Sequence, residues 1–159
     1  VACGERGEIC LRGPNIMKGY WNRPDATAAA IDSEGWFHSG DIGYVDEDGF
    51  LFICDRLKDM VISGGENVYP AEVEGALYKH EAIAEVAVIG MPDEKWGEAV
   101  TAIVALNEGC TLTIEELREF AGEHLARYKL PLRLELVDAL PRNPAGKVLK
   151  FVLKEQMAD

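Results

Sequence analysis

Apolar residues in the first third of the chain fall in short runs broken by turn residues. The stretch "GEICLRG" (7–13) reads as a short strand. "HSGDIGYVDEDGFLFICDR" (38–56) has strand-like runs around the turn "DEDG" (46–49), where Asp48-Gly49 between apolar stretches signals a hairpin. Between them, "WNRPDATAAAI" joins a candidate cap, Asp25 or Thr27, to an alanine run of high helix propensity.

From Lys58 the pattern changes. "DMVIS" (59–63) predicts a short strand and "GGEN" (64–67) a turn. Pro70 suits the first turn of a helix that carries Glu72 and Glu74 early, with Val73 and Leu77 as its buried stripe. "AEVAVIG" (84–90) and "AVTAIVAL" (99–106) are apolar, β-branched strands. In "TIEELREFAGEHLARY" (113–128), Thr113 and Glu116 form a capping box, and Ile114, Leu117, Ala121, Leu125 and Tyr128 step along one face. "LRLELV" (132–137) alternates as a strand, and a last short helix follows the loop at 141–147. These elements predict an all-β segment over 1–57 and an α+β domain over 58–159, the latter a short central sheet with flanking helices. The leading strand has nothing before it to pair with, which points to a piece of a longer protein.

At 159 residues, a chain can bury roughly 70% of its unfolded surface. The net charge of −12 argues against nonspecific nucleic-acid binding, which needs Lys and Arg on phosphates. It also means that a polyanionic ligand requires a local basic site. No apolar run approaches the ~20 residues of a membrane span, and no secretory signal is visible. The four cysteines, Cys3, Cys10, Cys54 and Cys110, show no Cys-x-x-Cys spacing. Cys10 and Cys54 lie in apolar runs and are expected to be buried free thiols of a reducing, cytoplasmic compartment. His38, His80 and His124 show no metal-ligand spacing, so no metal is assigned to them.

Several residues carry chemistry with more than one meaning. Lys147 follows Pro-Ala-Gly in "RNPAGKVLK", but Val148 stands where a phosphate loop needs Ser or Thr, so no P-loop is present. By itself the Gly-Lys pair is an exposed turn. Asp41 in "SGDIG" is a turn aspartate bonding its own backbone or an acceptor for paired hydroxyls. Arg56 in "CDRLKD" is a surface partner of Asp55 or Asp59, or a fork for an oxygen-rich anion. Gly64 and Gly65 make a tight strand-to-helix turn or line a narrow channel. Trp96, Tyr128 and Lys129 serve packing and helix termination, or offer flat rings and an ammonium to a ligand.

Five blocks taken together, "GYWNRPDAT", "GWFHSGDIGYVDEDGFLFICDRLKDMVISGGENVYPAEVE", "MPDEKWGEAVTAIV", "LARYKLP" and "LPRNPAGKVLK", resemble consecutive motifs of the adenylate-forming enzymes. The resemblance is greatest to the fatty acyl-CoA synthetases, with aryl-acid CoA ligases nearby. It implies a chain made of the end of a large N-terminal AMP-binding domain, a hinge and a mobile C-terminal domain. The family activates a carboxylic acid with ATP to an acyl-adenylate, releasing pyrophosphate, and transfers the acyl group to coenzyme A. Mg2+ is implied with ATP through the N-terminal domain, whose phosphate loop and acyl pocket are not in this chain. A fragment without them is expected to be inactive. By the resemblance, Lys147 is the catalytic lysine, Asp41 and Arg56 bind ATP or AMP, and Lys58 is the hinge. Gly64, Gly65, Trp96, Tyr128 and Lys129 then lie on the CoA side. Nonribosomal adenylation domains and luciferases share the superfamily, and a stand-alone acidic binding domain is the alternative from a different class.

Overall fold

The structure, a computed structural model, describes residues 1–157. The chain divides into two compact units, Val1–Lys58 and Asp59–Asp159.

The first unit is a three-stranded antiparallel sheet in the order β1-β2-β3, with β1 at Gly7–Leu11, β2 at Phe37–Val45 and β3 at Leu51–Arg56. The β2–β3 turn is held by Asp46, whose carboxylate accepts from the backbone N–H groups of Asp48 and Phe50 at 3.1 and 2.8 Å. A short helix, α1 (Pro24–Ala30), begins with Pro24 in its first turn, and its N-cap is Arg23 rather than Asp25 or Thr27. The Thr27 hydroxyl instead ties the helix to the preceding loop, accepting from Tyr20 N and donating to the Arg23 carbonyl. The strands bury little, and Ile42 is the one fully buried hydrophobic side chain among the described residues of this unit. Cys10 is exposed and Cys54 half-buried, against the expectation of two buried thiols, because the unit packs too little against either strand to cover them. No disulfide joins the cysteines among the described residues.

The second unit is built on a long hairpin, β6 (Ile83–Asp93) and β7 (Gly97–Leu106), paired antiparallel along its length. On the other edge of β7, β4 (Val61–Ser63) pairs at its start and β8 (Arg133–Leu136) runs parallel to its middle. Strand β5 (Glu66–Val68) pairs with β4, so "GGEN" belongs to a hairpin and not to a strand-to-helix turn. Helix α2 (Pro70–Leu77) follows with Pro70 in its first turn, as its sequence requires.

Alternation along β6 and β7 gives the sheet two apolar faces. Val86, Val88, Val100, Ala102 and Val104 pack with Val73 and Leu77 of α2 and with Leu117 and Ala121 of α3 (Ile114–Gly122). Ala87, Ile89, Met91 and Ile103 pack on the opposite side with Leu140 and with Leu153 of α4 (Lys150–Gln156). The Thr113–Glu116 capping box is complete. Helix α3 ends at Gly122, well short of the expected Tyr128, and Tyr128 lies instead in a separate 3-10 turn at Arg127–Lys129.

Candidate functional site

In the first unit, Asp41 and Arg56 are cross-strand partners in the β2–β3 ladder. The Arg56 guanidinium donates to the Asp41 carboxylate at 2.5 Å, while Asp55 accepts from the Arg56 backbone N–H. The two residues expected to meet a nucleotide therefore meet each other. Both side chains keep substantial exposure, so the pair is worth about 0–1 kcal/mol and a ligand can compete with it. Asp41 N–H donates to Ser39 Oγ at 3.0 Å, which fixes the backbone just before the acid.

Beside this pair, His38 Nδ1 donates to the Glu8 carboxylate at 2.7 Å, and Glu8 also accepts from Gly40 N–H at 3.0 Å. The hydrogen bond to Glu8 is the main cause that holds the His38 pKa above its ordinary value. Lys58 is exposed in the 3-10 turn Leu57–Asp59 that joins the two units along the chain.

In the second unit, Gly64, Trp96 and Tyr128 come together although 32 and 64 residues separate the latter two from the first. Trp96 stands on the tight β6–β7 turn, where Asp93 accepts from the N–H groups of Lys95 and Trp96 at 3.0 and 3.1 Å. Those backbone donors, the Trp96 N–H first, hold the Asp93 carboxyl below the usual carboxylate range, and Arg133 adds to the effect. Gly64 N–H donates to the Trp96 carbonyl at 2.8 Å. A Cβ on Gly64 would stand 2.9 Å from the Trp96 ring, so a side chain there cannot coexist with this ring position. Gly65 is exposed at the tip of the same turn.

Trp96 and Tyr128 line a cavity of about 410 Å³ with Ser63, Arg118, Arg127 and Leu130. Two aromatic rings and two guanidinium groups make it a cationic, π-lined recess in an acidic chain. Arg118 lies outside every motif block, and Arg127 falls within "LARYKLP" beside the tyrosine that the block singles out. Lys129 is not in the lining: its ammonium pairs with Glu72 of α2.

Lys147 stands elsewhere. The loop before α4 is a tight turn in which the Asn143 side chain accepts from the N–H groups of Ala145 and Lys147, at 3.0 and 2.9 Å. Gly146 takes φ of 81° there, a conformation that favours glycine. Arg142 closes the turn, donating to the Gly146 carbonyl at 2.7 Å and to Glu85 of β6. The Arg142 contact is the chief cause that holds the Glu85 carboxyl below its usual range. Lys147 itself is exposed and has no ion-pair partner among the described residues. Its neighbour Val148 packs on the α4 face of the sheet, whereas Leu130, in the cavity wall, packs on the α2–α3 face. The loop that carries Lys147 thus joins the α4 face of the sheet through Val148, and the cavity wall joins the α2–α3 face through Leu130.

Residues 72–147 match the AMP-binding enzyme C-terminal domain. A 2-succinylbenzoate–CoA ligase from Geobacillus sp. (strain WCH70) is 54% identical over 151 residues, which are 95% of this chain and 30% of that protein. A long-chain-fatty-acid–CoA ligase from Mycobacterium tuberculosis is 53% identical over 150 residues, 94% of this chain and 29% of its own length. The chain thus spans about a third of the length of the curated relatives it matches. Among solved structures, the o-succinylbenzoate CoA synthetase of Bacillus subtilis, in complex with its acyl-adenylate intermediate, superposes with a TM-score of 0.85 at 43% identity. It covers 100% of this chain and 31% of that one. ATP-bound MatB from Rhodopseudomonas palustris gives a TM-score of 0.92 at 41% identity, covering 100% of this chain and 32% of its own. The α+β fold, the match over 72–147 and these relatives together make the chain similar to the C-terminal part of the acid–CoA ligases.

Proposed function

We propose that this chain is the carboxyl-terminal part of an acid–CoA ligase that forms an acyl-adenylate from a carboxylic acid and ATP. In the first half-reaction the acid's carboxylate attacks the α-phosphorus of ATP and pyrophosphate leaves. In the second, the thiol of coenzyme A attacks the acyl carbon, AMP leaves and the thiol proton goes to a base or solvent. A fatty acid is the proposed acyl donor, in line with the long-chain relative.

The observation that carries this reading is the exposed, unpaired Lys147 in the loop that joins the α4 face of the sheet, with the aromatic, arginine-lined cavity joining the α2–α3 face. When a carboxylate approaches a phosphate, two anions must come together, and an ammonium between them offsets the repulsion. Preorganised charge of this kind is worth about 3–4 kcal/mol where water is excluded. Among the described residues, Lys147 has no carboxylate partner to displace first. The cavity suits a nucleotide-bearing thiol: Trp96 and Tyr128 offer faces to an adenine, and Arg118 and Arg127 offer donors to phosphate. Gly64 and Gly65 leave room for the narrow pantetheine arm, and Lys129, paired with Glu72, acts there through its position near Tyr128. Asp41 and Arg56 are the proposed ribose and phosphate contacts, exchanging their mutual bond for the nucleotide.

Two faces serving two half-reactions require the second unit to turn, and Lys58, the last residue of the first unit, is the proposed pivot. Hinges need only a position that absorbs a backbone change. Mg2+ would accompany ATP through protein beyond this chain, and this chain alone is proposed to be inactive. The free thiols favour a reducing compartment such as the cytoplasm.

The test uses the longer protein that contains this chain. Lys147→Ala is expected to lower ATP–pyrophosphate exchange by about 10²–10³-fold, while thioester formation from supplied acyl-adenylate is retained. Equal loss in both half-reactions would overturn the two-face reading.

A further inference from the structure

We propose that Glu8, Cys10 and His38 form a binding site for a thiophilic divalent cation such as Zn2+. Their ligand atoms all lie within 4.8 Å of one another. The site is a product of the β1–β2 ladder. Cys10 and His38 are cross-strand partners, and Glu8, two residues before Cys10, shares its face of β1. A register irregularity between Glu8 and Cys10 brings both toward the same imidazole.

The separations suit a metal. Bonds of about 2.0–2.1 Å to nitrogen and 2.3 Å to sulfur, at a tetrahedral angle, put the two ligand atoms about 3.5 Å apart. Cys10 Sγ stands 3.6 Å from His38 Nδ1. The Glu8 carboxylate, 2.7 Å from the same nitrogen, supplies the third ligand once an ion parts the two. On the far side of the ring, His38 Nε2 faces Asp32 Oδ2 at 3.6 Å. Nδ1 now shares its proton with Glu8, and an ion that takes that place leaves the remaining ring proton on Nε2, facing the Asp32 carboxylate, the arrangement that orients ligating imidazoles.

Thiolate and imidazole select Zn2+ over Mg2+ or Ca2+, so this site is distinct from any ion that travels with ATP. Binding displaces the Cys10 thiol proton and the His38 Nδ1 proton, both of which leave to solvent, and keeps one coordination position open to water. Cys10 is exposed, which provides entry. The second oxygen of Glu8 holds Gly40 N–H at 3.0 Å, and Gly40 precedes Asp41, so an ion here braces the strand that carries Asp41. The proposal stands apart from the ligase reading and does not need it.

Co2+ is the probe, added to the full 159-residue chain with Cys3, Cys54 and Cys110 replaced by serine. The expected result is a thiolate-to-cobalt charge-transfer band at one equivalent, displaced by Zn2+ and lost on the further change Cys10→Ser. His38→Ala is expected to weaken binding by about tenfold or more. A band that survives Cys10→Ser, or no band in a triple variant with an unchanged circular dichroism spectrum, overturns the site. In the unsubstituted chain, Zn2+ is expected to slow alkylation of Cys10 relative to Cys3, read by mass spectrometry. Equal rates with and without Zn2+ count against it.

Discussion

Ile42 alone is fully buried among the hydrophobic side chains described in the first unit, whereas the second buries two clusters on opposite faces of one sheet. The first unit also exposes Trp21 at 87%, Ile53 at 70% and Phe50 at 66%. The candidate groups differ accordingly. Asp41 and Arg56 are held by strand register and by each other. Lys147 and the Trp96–Tyr128 cavity are held by turns anchored to a packed sheet. In the second unit the candidate groups rest on a sheet covered on both faces, whereas in the first they rest on a sheet whose side chains are largely exposed.

The contrast between the units is tested most severely in the core. Leu117→Ala is expected to cost about 2–5 kcal/mol in urea unfolding, since the side chain is fully buried between α3 and the sheet. Ile53→Ser in the first unit is expected to change stability by no more than about 0.5 kcal/mol. Similar losses for the two would erase the distinction. Hydrogen exchange is expected to follow the same division, with the amides of Val88, Val100 and Val104 protected far longer than those of β1 and β3. A smaller effect comes from the cap: Thr113→Ala is expected to cost about 1 kcal/mol, because the Thr113 hydroxyl that accepts from Glu116 N–H at the start of α3 is lost.

The least of these effects concerns the clamp behind Lys147. Glu85 has its folded-state pKa lowered, chiefly by Arg142. Its contribution is therefore fully present above the unfolded value of about 4.3 and is lost as pH falls through the lower folded value. Arg142→Ala is expected to remove that acid-limb contribution, measured as stability against pH. An unchanged profile would mean that the Glu85 carboxylate does not depend on Arg142.

Much of the fold was legible because local rules govern it. The capping box at Thr113, Pro70 at the start of α2 and the alternation in β6 and β7 each predict what is observed. Other expectations failed where tertiary contacts outweighed local pattern. The helical period through Leu125 and Tyr128 continues past Gly122, yet Leu125 and Leu130 pack on the sheet face and the chain leaves the helix to reach them. The glycines at 64 and 65 turn one strand back on another because β4 finds partners in both β5 and β7. Cys10 sits in an apolar run but on a strand whose outer face is uncovered.

For the candidate groups the division is similar. The order of the motifs along the chain was enough to single out Asp41, Arg56, Trp96, Tyr128 and Lys147. It could not say that Asp41 bonds Arg56, that Lys129 is held by Glu72, or that Arg118 and Arg127 share a recess with the rings. Nor could the spacing of three histidines reveal His38 beside Cys10 and Glu8. Local pattern along the chain settled which elements form and which residue types are on hand, since propensity, caps and alternation act over a few neighbours. Which side chains converge, and which face of the sheet carries each, was left to the folded arrangement, because those contacts join residues tens of positions apart and depend on strand register.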